Sequence, residues 1–174
     1  TLVCEEDPSM EDVVVSGMAY DKNEAKIAIR SVPDVPGVAA KIFGALSEQS
    51  IVVDIIIQNP SHDGRMDLTF TVGKSDLVKA RDIVKKLTRS SKGTLIDTDD
   101  QLAKVSIVGV GMRNHSGVAA KMFQVLAEEG IGVHLISTSE IKVSCVVHSK
   151  YTELAVRALH TAFGLDRPDA AAAS

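Results

Sequence analysis

The pentapeptide Gly-Val-Ala-Ala-Lys stands twice in this chain, at Gly37–Lys41 and again 80 residues on, at Gly117–Lys121. The likeness continues at the same offset: Phe43 with Phe123, Leu46 with Leu126, Ile51 with Ile131, Val53 with Val133, Ile56 with Ile136. Similarity at a fixed offset is the mark of a duplicated unit. It restricts a chain of 174 residues to two small related domains rather than one medium one.

Each copy reads as the same order of elements. In the first, Ala25–Val32 alternates apolar and polar, a strand pattern. Pro33-Asp34-Val35-Pro36-Gly37 is loop chemistry, because each Pro removes a donor and restricts the residue before it. Val38, Ala39, Ile42, Phe43 and Leu46 then fall at helical spacing. Ile51–Gln58 is a β-branched run, 59–64 a turn, and Met66, Leu68, Phe70 and Val72 line one face of a strand at 65–72. A second helix carries Leu77, Ala80, Val84 and Leu87 as its apolar stripe, and 94–98 is a short last strand. The order β-α-β-β-α-β is the ferredoxin-like split unit.

The second copy has a strand at 104–111, a helix at 116–129, strands at 131–138 and 141–147, and a helix at 151–163. Nothing after Phe163 can serve as its fourth strand, whereas Asp12–Tyr20 reads as a strand that the first copy does not need. The simplest assignment inserts the first unit into the second. The expected fold is therefore α+β, with one unit at 22–99, the other at 10–21 plus 100–165, and a flexible tail at 166–174. Residues 12–20 should pair with 104–111 or 141–147.

Composition narrows the function classes. Hydrophobic residues make up 45% but aromatics only 3%, without Trp, so the cores must be aliphatic. A net charge of −4 argues against a nucleic-acid surface, which needs clustered Lys and Arg. No apolar run approaches the ~20 residues of a membrane span, and no signal peptide is visible, so a cytoplasmic protein is expected. Cys4 and Cys145 are too far apart for a zinc site or a disulfide framework, and no metal or cofactor is expected. Gly109-Val-Gly111 lacks the rest of a dinucleotide fingerprint, and no phosphate-loop, zincin or nucleophile-elbow motif occurs.

The chemistry concentrates at the repeated loop. A helix N-terminus offers unpaired N–H groups and partial positive charge, a ready seat for a carboxylate. Gly37, Ala39 and Ala40 let a ligand approach that backbone, Asp34 can receive an ammonium group, and Gln58 offers an amide to a hydroxyl. Such a set suits an α-amino acid; the plainer alternative is that Asp34 caps the helix and Gly37 permits the turn. The second loop, Met112-Arg113-Asn114-His115-Ser116-Gly117, has Asn114 where the first has Asp34, and Thr138 stands for Gln58. His115 has no nucleophile or acid beside it in sequence. Asp54 and His134 hold matching places early in strand two. They are either exposed pleat positions or contacts to another unit's loop.

The segments Asp34–Lys41, Asp54–Asn59, Lys104–Met112, Arg157–His160 and above all Ile136-Ser-Thr-Ser-Glu-Ile-Lys142-Val give the chain its likeness. It resembles the tandem ACT domains of the aspartate kinase regulatory region, or β subunit, over about residues 10–165. The resemblance implies an allosteric, non-catalytic chain, either a separate subunit or a fragment, that feeds back on lysine, threonine and methionine biosynthesis. It implies threonine and/or lysine as effectors, a homodimer through the ACT domains, and the kinase catalytic domain or α subunit as partner. One effector site would use Asp34, Val35, Pro36, Gly37, Val38, Ala39, Ala40 and Gln58, with Gly132, Val133 and His134 opposite. The second would use Met112, Arg113, Asn114, His115, Ser116, Gly117, Val118, Ala119, Ser137 and Thr138, with Val53 and Asp54 opposite. The alternative is a free-standing ACT-type sensor acting on another enzyme or on a transcription regulator.

Overall fold

The computed structural model describes residues 14–60, 63–110 and 116–166. Its elements are β1 (Val14–Pro33), α1 (Val38–Glu48), β2 (Val53–Pro60), β3 (Arg65–Val72), α2 (Leu77–Thr88), β4 (Leu95–Val110), α3 (Ser116–Glu128), β5 (Val133–Thr138), β6 (Lys142–His148) and α4 (Thr152–Ala162). The chain divides into two compact units. One is Lys22–Ala103; the other joins the chain up to Asp21 to the chain from Lys104 onward. The first unit is thus inserted into the second.

Strand order in the inserted unit is β2-β3-β1-β4, and in the other β1-β4-β6-β5. Both are the ferredoxin-like arrangement, with the first part of β1 completing the sheet of the outer unit beside β4. The segments expected as separate short strands are continuous: from Val14 on, the first expected strand and 25–32 form β1, and 95–98 and 104–110 form β4. Asp21–Glu24 and Asp99–Ala103 contain no Gly or Pro, so nothing in the backbone interrupts them. Residues 10–13, the turn at Ser61 and His62, and the tail beyond Asp166 lie outside the described residues.

The inserted core is aliphatic around one ring. Ile27, Ile29, Ile42, Leu46, Met66, Leu68, Phe70, Ala80 and Val84 are all at most 2% exposed. β3 alternates as its sequence indicates, with Ile27 opposite Phe70 and Ile29 opposite Leu68 on β1. Leu87, expected in this core, is 41% exposed: only Ala80 and Val84 of α2 are buried, and Leu87 falls in its last turn. In the outer unit Val105, Ile107, Met122, Leu126, Val143, Cys145, Ala155 and Leu159 form the core. Burial raises the Cys145 thiol to about 12, so it stays protonated and behaves as a small apolar side chain. On α4, Thr152, Ala155 and Leu159 are buried, and Leu154 packs half-buried against the same core.

The repeat is visible in packing. Leu46 and Leu126 are both fully buried, and Ile51 and Ile131 are 5% and 4% exposed. Both first helices end alike: the amide of Ile51 donates to Leu46 (3.0 Å) and that of Ile131 to Leu126 (2.8 Å). The residue between helix and strand is left-handed in both copies, Ser50 at φ 56° and Gly130 at φ 68°. Only glycine adopts that conformation freely. Ser50→Gly should therefore stabilise the chain, by about 0.5–1 kcal/mol in urea denaturation, because the left-handed penalty disappears.

Candidate functional site

The first repeated loop leaves β1 at Pro33 and enters α1 at Val38. Asp34 donates its N–H to the Gly64 carbonyl (2.9 Å), which ties the loop to the β2–β3 turn. Gly37 is the N-cap of α1 at φ 95°, and no side chain caps the helix. The capping alternative for Asp34 therefore does not hold; its carboxylate is exposed. The Val38 N–H donates to the Val35 carbonyl (3.4 Å), which leaves the Ala39 and Ala40 N–H groups of the first turn to solvent or a ligand. A Cβ on Gly37 would meet nothing within 4 Å, so glycine is needed for φ and the space ahead of the helix is open.

Gln58 stands near the same end of the sheet. β1 and β2 flank β3, and both run out toward Arg65 and Met66 of β3. Gln58 is paired with Leu68, a core residue. Directly opposed residues of antiparallel strands share a face. Gln58 therefore lies on the helix side of the sheet, as does Ile56 opposite Phe70. β2 is the end strand, so Ile56 remains 51% exposed and Gln58 exposed. Asp34, Val35, Pro36, Gly37 and Ala40 are exposed, and Val38 and Ala39 half-buried. A nearby cleft of about 180 Å³ is lined by Val32, Pro33, Val38, Lys41, Ile42, Leu87, Thr88, Ser90 and Ser91, and by neither Asp34 nor Gln58.

The loop is also held from behind, by residues the sequence did not single out. The β1–β3 register slips between Ile29 and Val32. Ser31, in that bulge, is left-handed at φ 59°. Its N–H donates to Asp67 Oδ1 (2.8 Å), and its carbonyl accepts from Arg65 Nη1 (2.6 Å) and Thr94 Oγ1 (3.1 Å). One sequence signal existed: buried Ala25, Ile27 and Ile29 keep a period of two, then Val32 breaks it.

Gly132 immediately precedes β5, the end strand of the outer unit, which Val133 and His134 open; Gly132 and His134 are exposed and Val133 half-buried. Ser137 and Thr138 end that strand, both exposed, opposite Ser144 and Val143. Val53 packs on the inserted core and Asp54 is exposed, at the opposite end of β2 from Gln58. Met112, Arg113, Asn114 and His115 lie outside the described residues.

The two repeated glycines do not play one role. α3 begins at Ser116, so Gly117 is inside its helix, and its φ is not positive. A Cβ there would meet nothing within 4 Å. The same substitution should thus act with opposite sign. Gly37→Ala should lower stability by about 1–2 kcal/mol through left-handed strain. Gly117→Ala should raise it by up to about 1 kcal/mol through helix propensity. Denaturant midpoints of the two variants read this directly.

Among the described residues no group of His, Cys, Asp or Glu could hold a metal, and no helix is long and apolar enough to cross a membrane. ACT-domain family models match residues 27–89 and 105–163. An aspartate kinase of Pseudomonas putida is 52% identical over 167 residues, which cover 96% of this chain and 41% of that protein. The chain thus spans about two-fifths of the length of the curated relatives it matches. A crystal structure of aspartokinase alpha and beta subunits contains a chain 52% identical, with a TM-score of 0.79 over 87% of this chain and 99% of that one. The ligand-free regulatory subunit of aspartate kinase from Thermus thermophilus is 40% identical, with a TM-score of 0.80 over 86% of this chain and 98% of that one. Two ACT domains, one inserted in the other, and near-complete coverage of regulatory subunits place this chain in the aspartate kinase family as its regulatory ACT region.

Proposed function

We propose that the chain senses end-product amino acids for an aspartate kinase, binding threonine and/or lysine and carrying no phosphotransfer chemistry itself. The observation that carries this reading is the start of α1. An uncapped helix N-terminus behind a left-handed Gly37 stands in open space, with an exposed carboxylate at Asp34 in the same loop. A ligand carboxylate would take the Ala39 and Ala40 amides, beside Val38, where the helix field favours negative charge. The ligand ammonium would meet Asp34, and Gln58 would meet a threonine hydroxyl.

The site is a half-site on an end strand. Gly132, Val133 and His134 of a second copy would complete it, giving a homodimer through the ACT domains. The related site would join Met112–Ala119, Ser137 and Thr138 to Val53 and Asp54, whose carboxylate suits a lysine ammonium. An effector held between copies stabilises one arrangement of the dimer. That differential binding is what can bias an attached kinase domain or α subunit in the cytoplasm.

A thermal-shift screen of the twenty amino acids tests this. Threonine or lysine should raise the melting temperature and the dimer fraction. A response to unrelated amino acids alone would favour a free-standing sensor of another process.

A further inference from the structure

The two backbone groups of Ser31 that the bulge removes from the β1–β3 ladder are both taken by side chains. Two of the three bonds are charge-assisted, from the Arg65 guanidinium and to the Asp67 carboxylate. Arg65 and Asp67 alternate along β3 with Met66 and Leu68, which belong to the core under the helices. They therefore occupy the opposite face of the sheet from α1 and Gln58. The third bond, from Thr94, comes from the residue just before β4. Ser31 is a non-glycine residue in the left-handed region, a conformation that persists only where its surroundings hold it. Three residues later the chain is at Asp34, whose amide is bound to the Gly64 carbonyl. A bulge bends and re-aims the strand that carries it, and here the strand leads straight into the loop.

We propose that Arg65, Asp67 and Thr94 are positioning residues for the effector loop. They clamp Ser31 in its left-handed bulge from the far side of the sheet, and so set the direction in which Asp34 and Gly37 are presented. They touch no effector. The inference rests on the reading of Asp34–Ala40 as an effector loop.

The test uses this chain with Arg65→Met, Asp67→Ala and Asp67→Asn. In the ligand-free proteins, hydrogen exchange of the Asp34 amide, which the Gly64 carbonyl holds, should rise about tenfold for Arg65→Met and Asp67→Ala, the worth of one charge-assisted hydrogen bond. Exchange at Leu68–Val72 should stay unchanged, which a general loss of stability would not allow. Threonine or lysine affinity should fall by about the same tenfold. Asp67→Asn keeps an acceptor oxygen and should recover most of both effects. Unchanged exchange of the Asp34 amide in both Arg65→Met and Asp67→Ala overturns the clamp. A parent chain that binds no amino acid sinks the effector reading instead, and the exchange rates still decide whether the loop is clamped.

Discussion

Phe70→Ala should destabilise the chain by about 3–5 kcal/mol, the cost of emptying a large aromatic site in a core. Phe70 is fully buried in the middle of β3, between Ile27 on β1 and Ile56 on β2. Its ring meets Phe43 edge-on, with centroids 5.4 Å apart and planes at 74°. Such pairs contribute about 0.5–1.5 kcal/mol beyond area burial. The remaining buried neighbours are aliphatic, and none is large enough to refill the space. Urea denaturation followed by circular dichroism measures the loss. Hydrogen exchange should locate the first unfolding in Lys22–Ala103. A cost below about 1 kcal/mol would mean that Phe70 is not the centre of this core.

Asp34→Ala should leave ligand-free stability nearly unchanged and abolish the response to effector. The side chain is exposed and caps nothing, so its removal should fall within about 0.5 kcal/mol. For the parent chain, effector at a hundred times its dissociation constant should add about 2.7 kcal/mol. On the proposed binding mode, the ligand ammonium would lack its counter-charge without Asp34, and the helix N-terminus alone would have to hold the carboxylate. The readout is the melting temperature with and without threonine or lysine. Asp34→Asn, which keeps an acceptor but not the charge, should bind weakly. An effector-induced shift that survives in Asp34→Ala would remove this residue from the site.

The repeat made much of this readable in advance. Leu46 with Leu126 and Ile51 with Ile131 are equivalent in the chain and equivalent in burial, because a duplicated core preserves its volume position by position. The alternation of Met66, Leu68, Phe70 and Val72 gave β3 its buried face directly. The missing fourth strand of the second copy revealed the insertion by elimination. Other features were hidden for physical reasons. Polar linkers such as Asp21–Glu24 read as loops, yet without Gly or Pro they continue the strand. Identical pentapeptides gave Gly37 and Gly117 different backbones, since the residues before them differ and local geometry follows the whole loop. Phe43 is packed against Phe70 while its repeat partner Phe123 is 42% exposed. The bulge at Ser31 was written only as a one-residue slip before Val32, and the side chains that hold it come from 34 to 63 residues away. Such partners are set by tertiary structure, and no local pattern announces them.

Isothermal titration calorimetry of the parent chain with threonine, with lysine, and with both together bears most directly on amino-acid sensing. Saturable heat with at least one of them, lost in Asp34→Ala and accompanied by a larger dimer fraction, is the expected result. No heat with either amino acid, separately or together, would contradict it.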